Sequence, residues 1–180
     1  SEFVKNKIKG YKIIGNPGCY PTSIQLPLMP LIKNKAIKLN NIIIDSKSGY
    51  SGAGKNLKKR FRHKNLYSSI HSYGIKKHRH MSELDQEFSK TGLKVSYLFQ
   101  PHLLPTFRGI LSTIYIELNK SYSAKKILEL LKHEHKNNKF IKINKLNVAI
   151  GTGNVINTNN CEISICETRI KNKIVIFSAI

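Results

Sequence analysis

Asn16-Pro17-Gly18-Cys19-Tyr20-Pro21-Thr22 is the stretch on which the reading of this chain turns. Before it, Lys12-Ile13-Ile14 reads as a short strand. After it, Ile24, Leu28, Leu31 and Ile32 recur at the spacing of one helix face. Pro-Gly is a turn signal, and Pro21 suits a first helical turn, where its missing N–H costs nothing. Cys19 is therefore expected at a helix N-terminus. Backbone N–H groups without intrahelical partners, and the positive end of the helix dipole, favour a thiolate there. Such a thiolate attacks carbonyl carbon, and the same N–H groups can hold the resulting oxyanion. Pro27 and Pro30 farther along predict a kinked or shortened helix.

Outward from this turn, residues 41–46 carry Ile42, Ile43 and Ile44 in succession and read as a buried strand. They run into Ser48-Gly49-Tyr50-Ser51-Gly52-Ala53-Gly54-Lys55, a small-residue loop whose amides could cradle an anion. Gly49, Gly54 and Lys55 approach the spacing of a nucleotide-hydrolase phosphate loop. However, Asn56 stands where magnesium requires a hydroxyl, and the further strand–helix units are missing. Ser82-Glu83-Leu84-Asp85 has the form of a capping box opening a helix through Phe88. Residues 93–99 and 109–118 read as strands, with Gln100-Pro101-His102-Leu103-Leu104-Pro105 as the loop between them. Ser123 caps a helix with Ile127, Leu128, Leu130 and Leu131 on its apolar face. Residues 140–143, 147–150, 162–166 and 174–180 read as short strands, with a turn at Asn172-Lys173. Runs of strands with helices inserted predict an α+β domain with a mixed, largely antiparallel sheet packed with helices.

The 180 residues suffice for one domain with a sizeable core, and no apolar run reaches membrane-spanning length. Residues 1–11 are charged and mixed, unlike a signal peptide. Cys19, Cys161 and Cys166 make no disulfide framework, which points to a reducing compartment and the cytoplasm. Cys161 and Cys166 fall on opposite faces of one strand and read as structural. The net charge of +21 suggests a polyanion partner only if the charges cluster. Lysine is spread over nearly every segment, arginine is scarce, and Lys, Ile and Asn together exceed a third of the chain. An AT-rich coding sequence produces that bias. The densest run, residues 55–64, reads as a solvated basic face, so neither nucleic acid nor membrane is expected as a partner. The alternative of a basic nucleic-acid-binding module calls for aromatics beside the lysines, which this sequence lacks.

Two further motifs carry chemistry. His78-Arg79-His80 offers a general base and an anion clamp, with Tyr73 close enough in sequence to share the site. No other His or Cys completes a zinc shell, so no metal is expected. In Pro105-Thr106-Phe107-Arg108-Gly109, Arg108 stands just before a strand and can present its fork to a carboxylate or phosphate. On these residues alone a Cys/His hydrolase, which needs no nucleotide, is also compatible.

Together the segments resemble the N-acetyl-gamma-glutamyl-phosphate reductase family, NADPH-dependent enzymes of arginine biosynthesis. The likeness runs through Asn16-Pro17-Gly18-Cys19-Tyr20-Pro21-Thr22, Ser48-Gly49-Tyr50-Ser51-Gly52-Ala53-Gly54 and His78-Arg79-His80 with Glu83. It continues in Pro101-His102-Leu103, Arg108-Gly109-Ile110-Leu111, Asn159-Asn160-Cys161 and Phe177-Ser178-Ala179-Ile180. The resemblance implies a catalytic domain like the carboxy-terminal one of glyceraldehyde-3-phosphate dehydrogenase-type enzymes. It makes Cys19 the nucleophile that forms a thioester from an acyl phosphate, and His80, with His78 as the alternative, the acid/base. It further implies substrate contacts by Arg108, Ser51, Tyr73 and Arg79, and NADP contacts by Pro17, Gly18, Ser48, Gly49, Gly52 and Gly54. Residues 1–180 then form the catalytic and dimerisation domain. The family's amino-terminal NADP-binding Rossmann domain and its closing carboxy-terminal segment are absent from this sequence, so reductase turnover is not expected of these residues alone. A homo-oligomer is expected. Aspartate-semialdehyde dehydrogenase, a sister family with the same chemistry on a shorter acyl phosphate, is the nearest alternative.

Overall fold

The computed structural model describes residues 2–4, 7–53, 65 and 67–180. Gly54 and the basic run 55–64 lie outside the described residues. Helix α1 (Cys19–Lys33) is buried at twelve of its fifteen residues, and a helix apolar on every side must be covered on every side. One side rests on a sheet, while α2 (Met81–Ser89) and α3 (Ala124–His135) flank it. The strands are β1 (Ile42–Gly49), β2 (His71–Ser72), β3 (Tyr97–Leu104), β4 (Ile110–Glu117), β5 (Ile141–Ile143), β6 (Cys161–Glu167) and β7 (Lys173–Ala179). They form one seven-stranded sheet in the order β2-β3-β1-β4-β7-β6-β5. β1–β3 and β5–β6 pair in parallel and the other four pairings are antiparallel, as the mixed α+β reading expects.

The prolines do not break α1. Pro30 has no N–H for the carbonyl of Leu26, one turn earlier. Buried His135, at the end of α3, donates Nε2–H to that carbonyl at 2.9 Å. The carbonyl can only accept, so the proton sits on Nε2, and Nδ1 accepts from the Asn138 side chain at 3.0 Å. Burial holds the pKa of His135 below its ordinary value, so the ring is neutral in the fold. The unfolded chain takes up a proton first as pH falls through about 6.5. This contribution to stability is therefore full above that pH and is lost below it. His135→Phe keeps a ring but strands the Leu26 carbonyl, at an expected cost of about 1–3 kcal/mol at neutral pH. Urea unfolding midpoints above and below that pH check both effects: the variant should be weaker at high pH and should lose less on acidification.

Small residues bring α1 down onto the sheet at its N-terminal end. Ser46 of β1 and Ser112 of β4 are register partners with hydroxyls 2.7 Å apart, and Ser112 is 2.7 Å from Ser23 of α1. Ser23 donates its one proton to the Tyr20 carbonyl, so Ser112 donates to Ser23 and Ser46 to Ser112. This buried relay ties the first turn of α1, and with it Cys19, to the two central strands.

Several local expectations are corrected. Residues 12–14 are exposed and form no strand, and 147–150 form none either. The latter segment crosses over β6, where Ser164 donates to the Val148 carbonyl at 2.5 Å. The segment read as a loop around His102 is instead the second half of β3. Pro101 is tolerated there because its carbonyl, and so its missing N–H, faces the β2 edge beyond the two residues of that short strand. No capping box forms. His80 is the N-cap of α2, and Ser82 turns back to the Arg79 carbonyl. Finally, β1 is buried on one face only. Ile42, Ile44, Ser46 and Ser48 face the helices, whereas Ile43 is exposed on the opposite face between its register partners Leu98 and Tyr115, both also exposed. Cys161 and Cys166 do lie on opposite faces, and Ser123 does cap α3 by accepting from the Lys126 N–H.

Candidate active site

Cys19 is the first residue of α1, and Gly18, in an extended conformation, is the N-cap. Thr22 bonds the Gly18 carbonyl twice, through its N–H (3.0 Å) and its hydroxyl (2.9 Å). Pro21 has no N–H, so the Cys19 and Tyr20 N–H groups remain at the helix end, where both act on the Cys19 sulfur. The sulfur opens to a cavity, yet the protein surrounding it pushes the thiol above its ordinary value. The two N–H groups and the Arg79 charge pull it down by less, and the Glu83 carboxylate raises it further. The resting thiolate expected from the turn is therefore corrected to a thiol, because desolvation outweighs the helix end.

Glu83 links the cysteine turn to the imidazole motif. Its Oε2 accepts the Gly18 N–H at 2.7 Å, and its Oε1 lies 4.0 Å from His80 Nε2. His80 is buried, and its ring lies against Gly18: a Cβ on that glycine would sit 2.5 Å from His80 Nε2. Because φ at Gly18 is −64°, the glycine is required for this close approach and not for backbone freedom. His78 accepts the His80 backbone N–H on Nδ1 at 3.2 Å and packs edge-on against Tyr20, Tyr73 and Phe99. Tyr73 places its hydroxyl 2.8 Å from that of Tyr20, whose own pKa burial raises far above the ordinary phenol range. His78 and Tyr73 thus buttress the turn, and Tyr73 is not among the residues that border the cavity.

The cavity, about 510 Å³, brings Cys19 together with Ser48, Gly49, Ser51, Gly52 and Arg108, residues from three separate motifs. Arg108 is exposed and stacks on the Phe107 ring at 5.0 Å. In the loop after β1, expected from the sequence to cradle an anion, residues 49–51 have no amide free for one, and Gly54 and Lys55 lie outside the described residues. The N–H groups of Gly49, Tyr50 and Ser51 are bonded to the carbonyls of Gly109, Thr106 and Phe107, each at 2.9 Å. A Cβ on Gly49 would meet the Phe107 carbonyl oxygen at 2.7 Å, so this glycine admits the neighbouring backbone rather than a ligand. Gly52 and the side chains of Ser48 and Ser51 remain as the cavity wall, whereas Pro17 is exposed ahead of the turn.

Sequence reasoning gave no role to a further part of the lining, Leu26, Phe140 and residues 155–160. Its position comes from contacts distant in sequence. Thr152 packs on Gly109, where a Cβ would lie 2.7 Å away. Asn154 donates to buried Glu162 at 2.7 Å, and the Cys161 N–H bonds the Phe140 carbonyl at 2.8 Å. Burial alone would raise the Glu162 pKa, but bonds from Lys142 and Asn154 hold it below the usual carboxylate value. Cys161 also borders the cavity, but it is buried, and that burial pushes its thiol up to about 11. Glu83 was visible as one letter of a supposed capping box and within the family likeness, but with no role assigned to it. Its tie to Gly18 spans sixty-five positions and had no local signal.

Comparison with known proteins bears on the family and the fold. The family described as "Semialdehyde dehydrogenase, dimerisation domain" matches residues 19–180. The chain is 40% identical over 181 residues to the probable N-acetyl-gamma-glutamyl-phosphate reductase, chloroplastic, of Oryza sativa subsp. japonica, covering 100% of this chain and 44% of that protein. It is 43% identical over 180 residues to the N-acetyl-gamma-glutamyl-phosphate reductase of Thermoanaerobacter pseudethanolicus, covering 99% and 52%. The chain thus spans about half the length of the curated relatives it matches. Among solved structures, a probable aspartate-semialdehyde dehydrogenase from Pseudomonas aeruginosa superposes with TM-score 0.69 at 10% identity, covering 93% of this chain and 56% of that one. Aspartate semialdehyde dehydrogenase from Francisella tularensis gives TM-score 0.70 at 10% identity, covering 91% and 58%. These two share the fold; the sequence kinship lies with the reductases. With its match over residues 19–180, the chain belongs to the semialdehyde dehydrogenase dimerisation-domain family.

Proposed function

We propose that this chain is the catalytic domain of an NADP-dependent reductase that converts N-acetyl-gamma-glutamyl phosphate to N-acetylglutamate semialdehyde and phosphate in arginine biosynthesis. The observation that carries it is Cys19 at the N-terminus of α1, opening on the cavity that Arg108 borders, with His80 braced by Glu83 against the preceding glycine. Because the thiol rests protonated, a base must take its proton, and His80 is the imidazole next to the turn. The thiolate attacks the acyl carbon, the C–O bond to phosphate breaks, and phosphate leaves with that bond's electrons. A thioester then joins the acyl group to Cys19. NADPH, when bound, supplies the hydride that reduces this thioester. The Cys19 and Tyr20 N–H groups hold the oxyanion of the resulting hemithioacetal, and its collapse breaks the C–S bond and frees the aldehyde. Arg108 holds the substrate carboxylate, with Arg79 adding positive charge.

Ser48 and Gly52 fit one wall of a nicotinamide site, but the spent amides of residues 49–51 give no phosphate cradle. The remaining cofactor contacts belong to a nucleotide-binding domain outside these 180 residues, a division supported by the twofold greater length of the relatives. The exposed row Leu98–Ile43–Tyr115 on the face away from the helices suits pairing with a second copy, which also explains three consecutive isoleucines in β1. Among the described residues no helix is long and apolar enough to cross a membrane, and we place the enzyme in the cytoplasm. The test is an assay of the full-length protein in the reverse direction. NADP should be reduced in the presence of N-acetylglutamate semialdehyde only when phosphate is added. Phosphate-independent turnover, or a preference for aspartate semialdehyde, would overturn the assignment.

A further inference from the structure

The peptide that joins Gly18 to Cys19 is held more firmly than a helix start requires. Gly18 is the N-cap of α1, and the Thr22 N–H gives its carbonyl the ordinary first helical bond at 3.0 Å. The Thr22 hydroxyl donates to the same carbonyl at 2.9 Å. This second bond does not serve the helix, because a threonine that bonds back to the carbonyl four positions earlier slightly destabilises one. Nor is it forced by enclosure. Thr22 is half-buried and borders the cavity, yet its hydroxyl turns back onto its own turn. On the other side of the glycine, the Gly18 N–H donates to Glu83 Oε2 at 2.7 Å. Both peptide planes that meet at Gly18 are thus fixed by side chains.

A peptide unit is rigid and planar, so whatever fixes the Gly18 carbonyl also aims the Cys19 N–H, which points the opposite way. That N–H is one of the two that act on the Cys19 sulfur. Bonds accepted by the carbonyl also polarise the amide and make its N–H a stronger donor. The consequence rests on the reaction proposed above, in which an oxyanion forms on the acyl carbon and vanishes again. We propose that Thr22 is a positioning residue for this reaction: its hydroxyl locks the Gly18–Cys19 peptide so that the Cys19 N–H meets the oxyanion. Thr22 itself holds no part of the substrate. An interaction made only as the oxyanion develops acts on kcat and leaves KM alone.

The test uses the full-length protein in the reverse direction, with N-acetylglutamate semialdehyde, phosphate and NADP. Thr22→Val keeps the branched shape and the N–H bond to Gly18, so the carbonyl is not stranded and the melting temperature should stay near that of the parent. Its kcat should fall about thirtyfold, less than the loss of a whole oxyanion-hole donor costs, with KM changed by less than about threefold. Thr22→Ser keeps the hydroxyl and should stay within about threefold of the parent kcat. The pH midpoint for alkylation of Cys19 by iodoacetamide, followed on the Cys19 peptide, supplies a second readout. It should move up in Thr22→Val and stay in place in Thr22→Ser, which a merely structural role would not produce. Equal losses in the two variants would show that shape matters rather than the hydroxyl, and would overturn the proposal. Full activity in Thr22→Val would overturn it as well, and so would a loss confined to KM, which would set Thr22 against the substrate. Each of these leaves the reaction standing. No phosphate-dependent turnover in the unsubstituted protein would overturn both.

Discussion

Cys19→Ser in the full-length protein is expected to lower phosphate-dependent NADP reduction by about four orders of magnitude or more, the scale seen when a covalent nucleophile is removed. Oxygen replaces sulfur with little change in size at a site open to the cavity, so the melting temperature should stay close to that of the parent. The chemistry changes far more than the shape. A serine hydroxyl is a much weaker acid than a thiol, and an oxygen ester yields to hydride less readily than a thioester. The elevated thiol pKa adds a second expectation. Thiolate increases with pH, so kcat/KM should climb as pH rises toward the thiol pKa, provided that proton removal from Cys19 limits the rate. Retention of more than about a hundredth of the parent rate in the serine variant would remove Cys19 from the reaction.

Gly18→Ala is expected to cost about a hundredfold in kcat, although it adds only a methyl group. Its Cβ would lie 2.5 Å from Nε2, 2.8 Å from Cδ2 and 3.0 Å from Cε1 of His80. Either the imidazole or the start of α1 must then move. Both sides of that contact are held, since Glu83 binds the Gly18 N–H and the Leu84 N–H bonds the His80 carbonyl. The backbone angles at Gly18 suit any residue, so unfolding is not the expected outcome. A kcat loss with a KM change of less than about threefold would place the damage in proton transfer rather than in binding. A variant with full activity would show that His80 does not need its present position.

The parts of this architecture that local chemistry determines were legible in the sequence. Pro-Gly ahead of Cys19 and Pro21 behind it specify a turn and a helix start without help from the rest of the chain. The runs of strands with helices inserted likewise led to a mixed sheet. What could not be read depends on partners far along the chain. An unbroken α1 through Pro30 requires His135, over a hundred positions away, to replace the missing N–H. Pro101 argued for a loop because sequence does not reveal that β2 ends before it would need a donor. The loop after β1 looked like an anion cradle because its glycines are visible and the carbonyls of Thr106, Phe107 and Gly109 that occupy the amides of residues 49–51 are not. Of the site, Cys19, His80 and Arg108 were found from their motifs. Glu83 was part of the family likeness but without a role, and Phe140 and Ile156 were not found, since apolar residues in a loop have ordinary local explanations.

The central claim is that the acyl group of the substrate is carried on the sulfur of Cys19. Mass spectrometry of the full-length protein, mixed with N-acetyl-gamma-glutamyl phosphate in the absence of NADPH and quenched in acid, tests it most directly. The account predicts a gain of one N-acetylglutamyl group per chain, located on the peptide that contains Cys19, released by hydroxylamine and missing from Cys19→Ser. An unmodified Cys19 peptide under conditions where the protein turns over, or the acyl group on Cys161 or Cys166 instead, would contradict it.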